Sequence, residues 1–211
     1  MKKIRMRKPL DLHKYRLKLN EICINWKLIL PVAASVLGIF AGSIIAKGEG
    51  AVYFNITQYI KKLIMQPDNQ SNYVSLIIYL LIPTVFAVVI FFSGLSVYGN
   101  ITVNIIPFLY GVVSGIFVYY LFGTYTLKGL GYIVIMFIPY AVISMFSLLM
   151  MTSESIDMSR LLLKKLGRSS RMSEYSFNKY YKNCLKCYVF IIIAAVIKTM
   201  LDSLFVGLFV F

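Results

Sequence analysis

Acidic residues are scarce. The 211-residue chain has eight Asp and Glu against 22 Lys and Arg, and one histidine, His13. A lone histidine excludes a histidine-rich metal motif. Three cysteines, Cys23, Cys184 and Cys187, give no extracellular disulfide framework. Cys184-x-x-Cys187 has the spacing of a redox or metal pair. No second pair completes a zinc site and no thioredoxin-like strand precedes it, so both read as ordinary interfacial thiols. A phosphate-binding glycine loop and a nucleophile elbow are missing too. The acids are scattered, with only Glu154 and Asp157 close together, beside Arg160. There is no internal repeat, so the inverted-repeat signature of many transporters is absent. These gaps imply a non-enzymatic protein with no cofactor and no metal.

Charge of either sign is thin, at 14%, while 59% of residues are hydrophobic. Soluble domains run near 25% charged. A water-soluble fold of this length has too much surface to hide so much apolar area. Lipid lifts that constraint. The net charge of +14 would otherwise suggest nucleic acid or an acidic partner. Here the basic residues sit in two blocks flanking apolar runs, which fits the cytoplasmic excess of membrane proteins better than nucleic-acid binding.

Five apolar segments match the roughly 20 residues a helix needs to cross a bilayer. They run over about 28–46, 74–97, 101–122, 130–151 and 187–211. They are continuous and do not alternate, which disfavours a β-barrel. The expected fold is therefore an all-α bundle of five membrane helices. A basic segment, 1–27, precedes a single membrane domain, 28–211, which carries a basic loop, 152–186. The first span follows 27 mostly polar residues with no cleavage site after it, so it reads as a retained signal anchor. Nine Lys or Arg precede that span and eight lie between the fourth and fifth. The first-to-second connection holds Lys47, Lys61 and Lys62; the third-to-fourth holds only Lys128. Five spans place both rich blocks in the cytoplasm, with the N-terminus inside and the C-terminus outside.

The connections differ. A tight turn at Tyr98, Gly99 and Asn100 makes spans two and three an antiparallel hairpin. Between Lys47 and Asn72, Val52, Ile56, Tyr59, Ile60, Leu63 and Ile64 recur at helical spacing. That predicts a short helix lying in the outer interface or packed on the bundle. In the inner loop the fourth helix continues through Leu163, Gly167 is a helix stop, and Ser173 caps a second helix. Tyr175, Tyr180, Tyr181 and Tyr188 are then placed in an aromatic belt. The stretch Leu10 to Trp26 is basic and semi-amphipathic, and is expected along the cytoplasmic leaflet. Asn55-Ile-Thr57 and Asn100-Ile-Thr102 match the glycan acceptor pattern by chance spacing.

Lys198 and Asp202 are the sharpest site signal. They share a helix face at i, i+4, within a span where charge is costly. They are either an ion pair that orients the helix or part of a polar pathway. Gly111 and Gly115 form a small-xxx-small pattern for close helix contact, within the bundle or between copies. Pro83 and Pro139 interrupt their spans and predict kinks, and Pro107 bends the hairpin near its start.

The stretch Gly94 to Ser159 resembles the stage II sporulation protein M family. The matching residues are Gly94-Leu95-Ser96 followed by Gly99, and Tyr110-Gly111-Val112-Val113-Ser114-Gly115. Leu127-Lys128-Gly129 and Ile138-Pro139-Tyr140-Ala141-Val142-Ile143 follow in order. Many members carry a His-Gly pair after that proline and a glutamate downstream, where this chain has Tyr140, Ala141 and Ser144. The resemblance implies a five-span cell-membrane protein that anchors partners in envelope remodelling or sporulation. Its implied partners are membrane or envelope proteins; composition adds the lipid bilayer, the Gly111/Gly115 pattern a second copy, and the placement of the basic blocks disfavours nucleic acid. A transporter component using Lys198 and Asp202 is the alternative.

Overall fold

The computed structural model describes residues 12–48, 58, 72–166 and 174–205. The described residues contain no strand. They form five α-helices: α1 (Leu12–Lys47), α2 (Asn72–Gly94), α3 (Gly99–Tyr132), α4 (Ile138–Leu166) and α5 (Glu174–Phe205). A π-helical stretch, Ile133–Phe137, joins α3 to α4.

Large apolar side chains stand exposed along the helices. On α2, Ile77, Leu81, Val85, Val88 and Phe92 form an exposed apolar row, while Ala87, Ile90 and Pro83 on the other face are buried. The interior is mostly apolar but also encloses Ser144, Ser147, Thr152, Ser155, Ser159 and Lys198. Apolar surface this continuous does not persist against water. Four segments are long and apolar enough to cross a membrane: Leu28–Lys47, Ser75–Gly94, Ile101–Leu163 and Phe177–Phe205.

The third segment has 63 residues. Straight, it would reach about 95 Å, some three hydrocarbon thicknesses. It reverses at Thr126, whose φ of 47° and ψ of −119° lie outside helical space. Beyond the reversal the two arms face each other. Phe117 and Phe137 stack at 4.4 Å between ring centroids, and a Cβ on Gly129 would strike the Leu121 carbonyl oxygen.

Contacts between named residues fix the helix directions. Gly38 of α1 lies on Phe108 of α3 and Gly42 on Val112, a constant offset, so α1 and α3 are parallel. Tyr79 meets Tyr140 and Gly94 meets Ser155, so α2 and α4 are parallel. Thr84 faces Tyr188 while Phe91 accepts from Tyr180, so α5 is antiparallel to α2. The turn Leu95–Tyr98 reverses α2 into α3. Thus α1, α3 and α5 run one way, and α2 and α4 the other.

The prolines have distinct local effects. Pro139 cannot donate to the carbonyl of Ile135 four residues before it. Immediately upstream the helix widens, and the Ile138 N–H bonds to Ile133 five residues back. Pro83 lies within α2 and Pro107 within α3, both fully buried.

The helices are longer than the apolar runs predict. The basic stretch from Leu12 belongs to the same helix as the first span, so α1 extends about 54 Å. A helix starting at Glu174, next to the expected cap Ser173, runs unbroken to Phe205, so the second loop helix and the fifth span are one element. Propagating an existing helix costs less than ending one and nucleating another. α4 does continue past Leu163, to Leu166. The helix expected between Val52 and Ile64, Asn55, Gly167 and the final residues 206–211 lie outside the described residues, and Tyr175 falls in the first turn of α5.

Candidate functional site

The site is built around Lys198, the largest fully buried side chain. Its Nζ donates to Asp202 Oδ1, one turn on along α5, and to the Tyr132 hydroxyl at 2.9 Å. The same nitrogen stands 4.8 Å from the ring centroids of both Tyr79 and Tyr132. The Tyr79 hydroxyl interacts with Asp202 and Tyr132. Tyr140 donates to the Tyr79 backbone oxygen at 2.7 Å, which holds α2 in place beside the pair. Each feature lowers the cost of a buried charge. The carboxylate neutralises it, the phenol oxygen accepts a second hydrogen bond, and two π-faces replace lost water. Lys198 and Asp202 are therefore a bonded ion pair, and they tie α5 to α2 and to the end of α3. Lys198 is seven residues before Phe205 and Tyr79 seven after Asn72. The cage thus sits about 10 Å from the last described residue of α5 and the first of α2.

A second set of residues lies between α1 and α3. A Cβ on Gly111 would meet the Ser35 carbonyl oxygen, and one on Gly115 that of Ile39. From the other side, Cβ atoms on Gly38 and Gly42 would meet the carbonyls of Phe108 and Val112. Four glycines thus bring two parallel backbones into contact, as small residues do in membrane helices. The Gly111/Gly115 face is used within the chain. Its partner face, Gly38-xxx-Gly42, went unread in the sequence, although the same spacing continues to the buried Ala46.

A third set fastens helices at the opposite end from the lysine cage. Tyr180 donates to the Phe91 carbonyl at 2.9 Å and bonds the Ser155 hydroxyl at 3.0 Å. Gly94 makes room for that phenol, since a Cβ there would collide with it. Ser159 donates to the carbonyls of Ser96 and Val97, at 3.0 and 3.3 Å, clamping the α2–α3 turn. Ser147 donates to the Cys187 carbonyl. The belt placement of Tyr180 is therefore corrected: it is buried between α2, α4 and α5. A buried phenol seeks a partner, and a carbonyl at the end of α2 supplies one. Tyr181, next in sequence, faces outward. Cys184 is buried and Cys187 half-buried, both as free thiols. No group of three or more His, Cys, Asp or Glu able to hold a metal occurs among the described residues.

No family model, curated protein or solved structure matches this chain. The site residues that sequence reasoning missed, Tyr79 and Tyr132, had one faint signal: a phenol inside an otherwise apolar run needs a hydrogen-bond partner.

Proposed function

We propose that the chain crosses the cell membrane five times, N-terminus inside, as a non-enzymatic scaffold that anchors partner proteins. Alternating helix directions support five crossings, because the Thr126 reversal divides the 63-residue segment into two. Both basic blocks then face the cytoplasm. The observation that carries the scaffold reading is the use made of interior polar groups. Ser147, Ser155, Ser159, Tyr140, Tyr180 and Lys198 are all engaged in ties between helices. Such ties rigidify a frame. The resemblance to the stage II sporulation protein M family adds envelope remodelling or sporulation as the setting.

Two experiments test this. Co-purification from crosslinked membranes is expected to recover a stable membrane or envelope partner; recovery of the chain alone counts against anchoring. Deletion with imaging of dividing and sporulating cells is expected to show an envelope defect such as stalled engulfment.

A transporter component is the second reading, favoured by one observation: a lysine 1% exposed among tyrosines and paired with Asp202. It predicts a solute-dependent growth defect in Asp202→Asn cells whose protein level is normal. Growth independent of every solute tested would remove it.

A further inference from the structure

We propose that the outward face of α5 near its start binds the headgroup of an anionic phospholipid. The proposal rests on the membrane reading above. Lys179, Lys182 and Lys186 follow one another at i, i+3 and i+7 and are all exposed. Residues at that spacing share one helix face. The same series continues through Val189 and Ile193, both exposed and apolar. The opposite face, Tyr180, Cys184, Ile191, Ala194 and Lys198, is buried in the bundle. The lysines therefore point away from the protein, at the point where the helix surface changes from charged to apolar.

That order matches one molecule. A phosphate group meets the ammonium groups while its acyl chains lie along Val189, Phe190 and Ile193, half-exposed beside them. Lysine stems can lie on apolar surface and hold their heads at headgroup height. An acidic soluble protein would satisfy the lysines but not the apolar continuation. Exposed Tyr181 and Leu185 flank the stripe and suit the same interface.

The test is native mass spectrometry of the purified full-length chain in detergent. It is offered equal amounts of a phosphatidylglycerol and a phosphatidylcholine with identical acyl chains. Wild type is expected to retain the anionic lipid preferentially. Lys182→Gln/Lys186→Gln is expected to cut that preference about thirtyfold, and Lys182→Arg/Lys186→Arg to keep it. Lys47→Gln/Lys128→Gln removes the same charge from two other exposed sites and is expected to leave it unchanged. No preference in wild type, or an equal fall in both glutamine variants, overturns the proposal. So does displacement of the lipid by an acidic peptide at equal concentration. Alkaline carbonate extraction of the same membranes separates the two ideas. A chain that stays in the pellet yet shows no preference loses the lipid site alone; a released chain loses the membrane reading too.

Discussion

Removing the Lys198 ammonium leaves Asp202 without its bonded counter-charge. The structure makes that a severe change, because the lysine is enclosed by Tyr79, Tyr132 and Asp202. Lys198→Met and Asp202→Asn are each expected to destabilise by about 3–5 kcal/mol, and the double variant by less than their sum. Thermal unfolding in detergent measures this; additive losses would mean that the pair is not coupled. Tyr132→Phe removes one acceptor and is expected to cost about 1 kcal/mol. Tyr180→Phe, which loses the tie to Phe91, is expected to cost a similar ~1 kcal/mol. At this scale the sequence showed the ion pair, because i, i+4 spacing is visible along one helix. It hid the tyrosines, because α2 and the end of α3 reach Lys198 only through tertiary packing.

Helix pairing depends on backbone proximity more than on side-chain size. Gly111→Leu is expected to separate α3 from α1 and cost about 2 kcal/mol or more, since the obstacle is the Ser35 carbonyl and not a flexible side chain. Protease sensitivity of α1 alongside the melting temperature checks it. Unchanged values would mean that the groove yields. Thr126 holds a positive φ that a β-branched residue rarely adopts. Thr126→Gly is expected to raise stability by about 1 kcal/mol, the relief of strain exceeding the added chain entropy. The hydrophobic runs flanking these features were plain from composition. Element ends were not. The apolar run marks where lipid begins, whereas hydrogen bonding carries α1 back to Leu12 and α5 back to Glu174. The wide turn before Pro139 was likewise hidden, since a proline foretells disturbance but not its form.

For the whole molecule, direction is the quantity that matters. Single cysteines placed at Thr124 and at Arg160, in a chain with its native cysteines replaced, are expected to lie on opposite sides. An impermeant thiol reagent added to intact cells should label the first and spare the second. Labelling of both, or of Arg160 alone, would reverse or break the five-crossing arrangement. The sequence carried this level through two basic blocks, whose placement demands an even number of crossings between them. It left the neighbour relations open, because charge counting says nothing about which helices touch.

The glycine groove also sets an order of assembly. Gly42 and Val112, which meet across it, are 70 residues apart in the chain. At ribosomal speed that gap lasts several seconds, on the order of 5–20 residues per second. In a chain inserted as it is made, α1 would spend that time with its glycine strip facing acyl chains, until α3 arrived alongside in the same direction. A nascent chain stalled after α2 would present that strip permanently, a surface by which the cell could tell unfinished copies from finished ones.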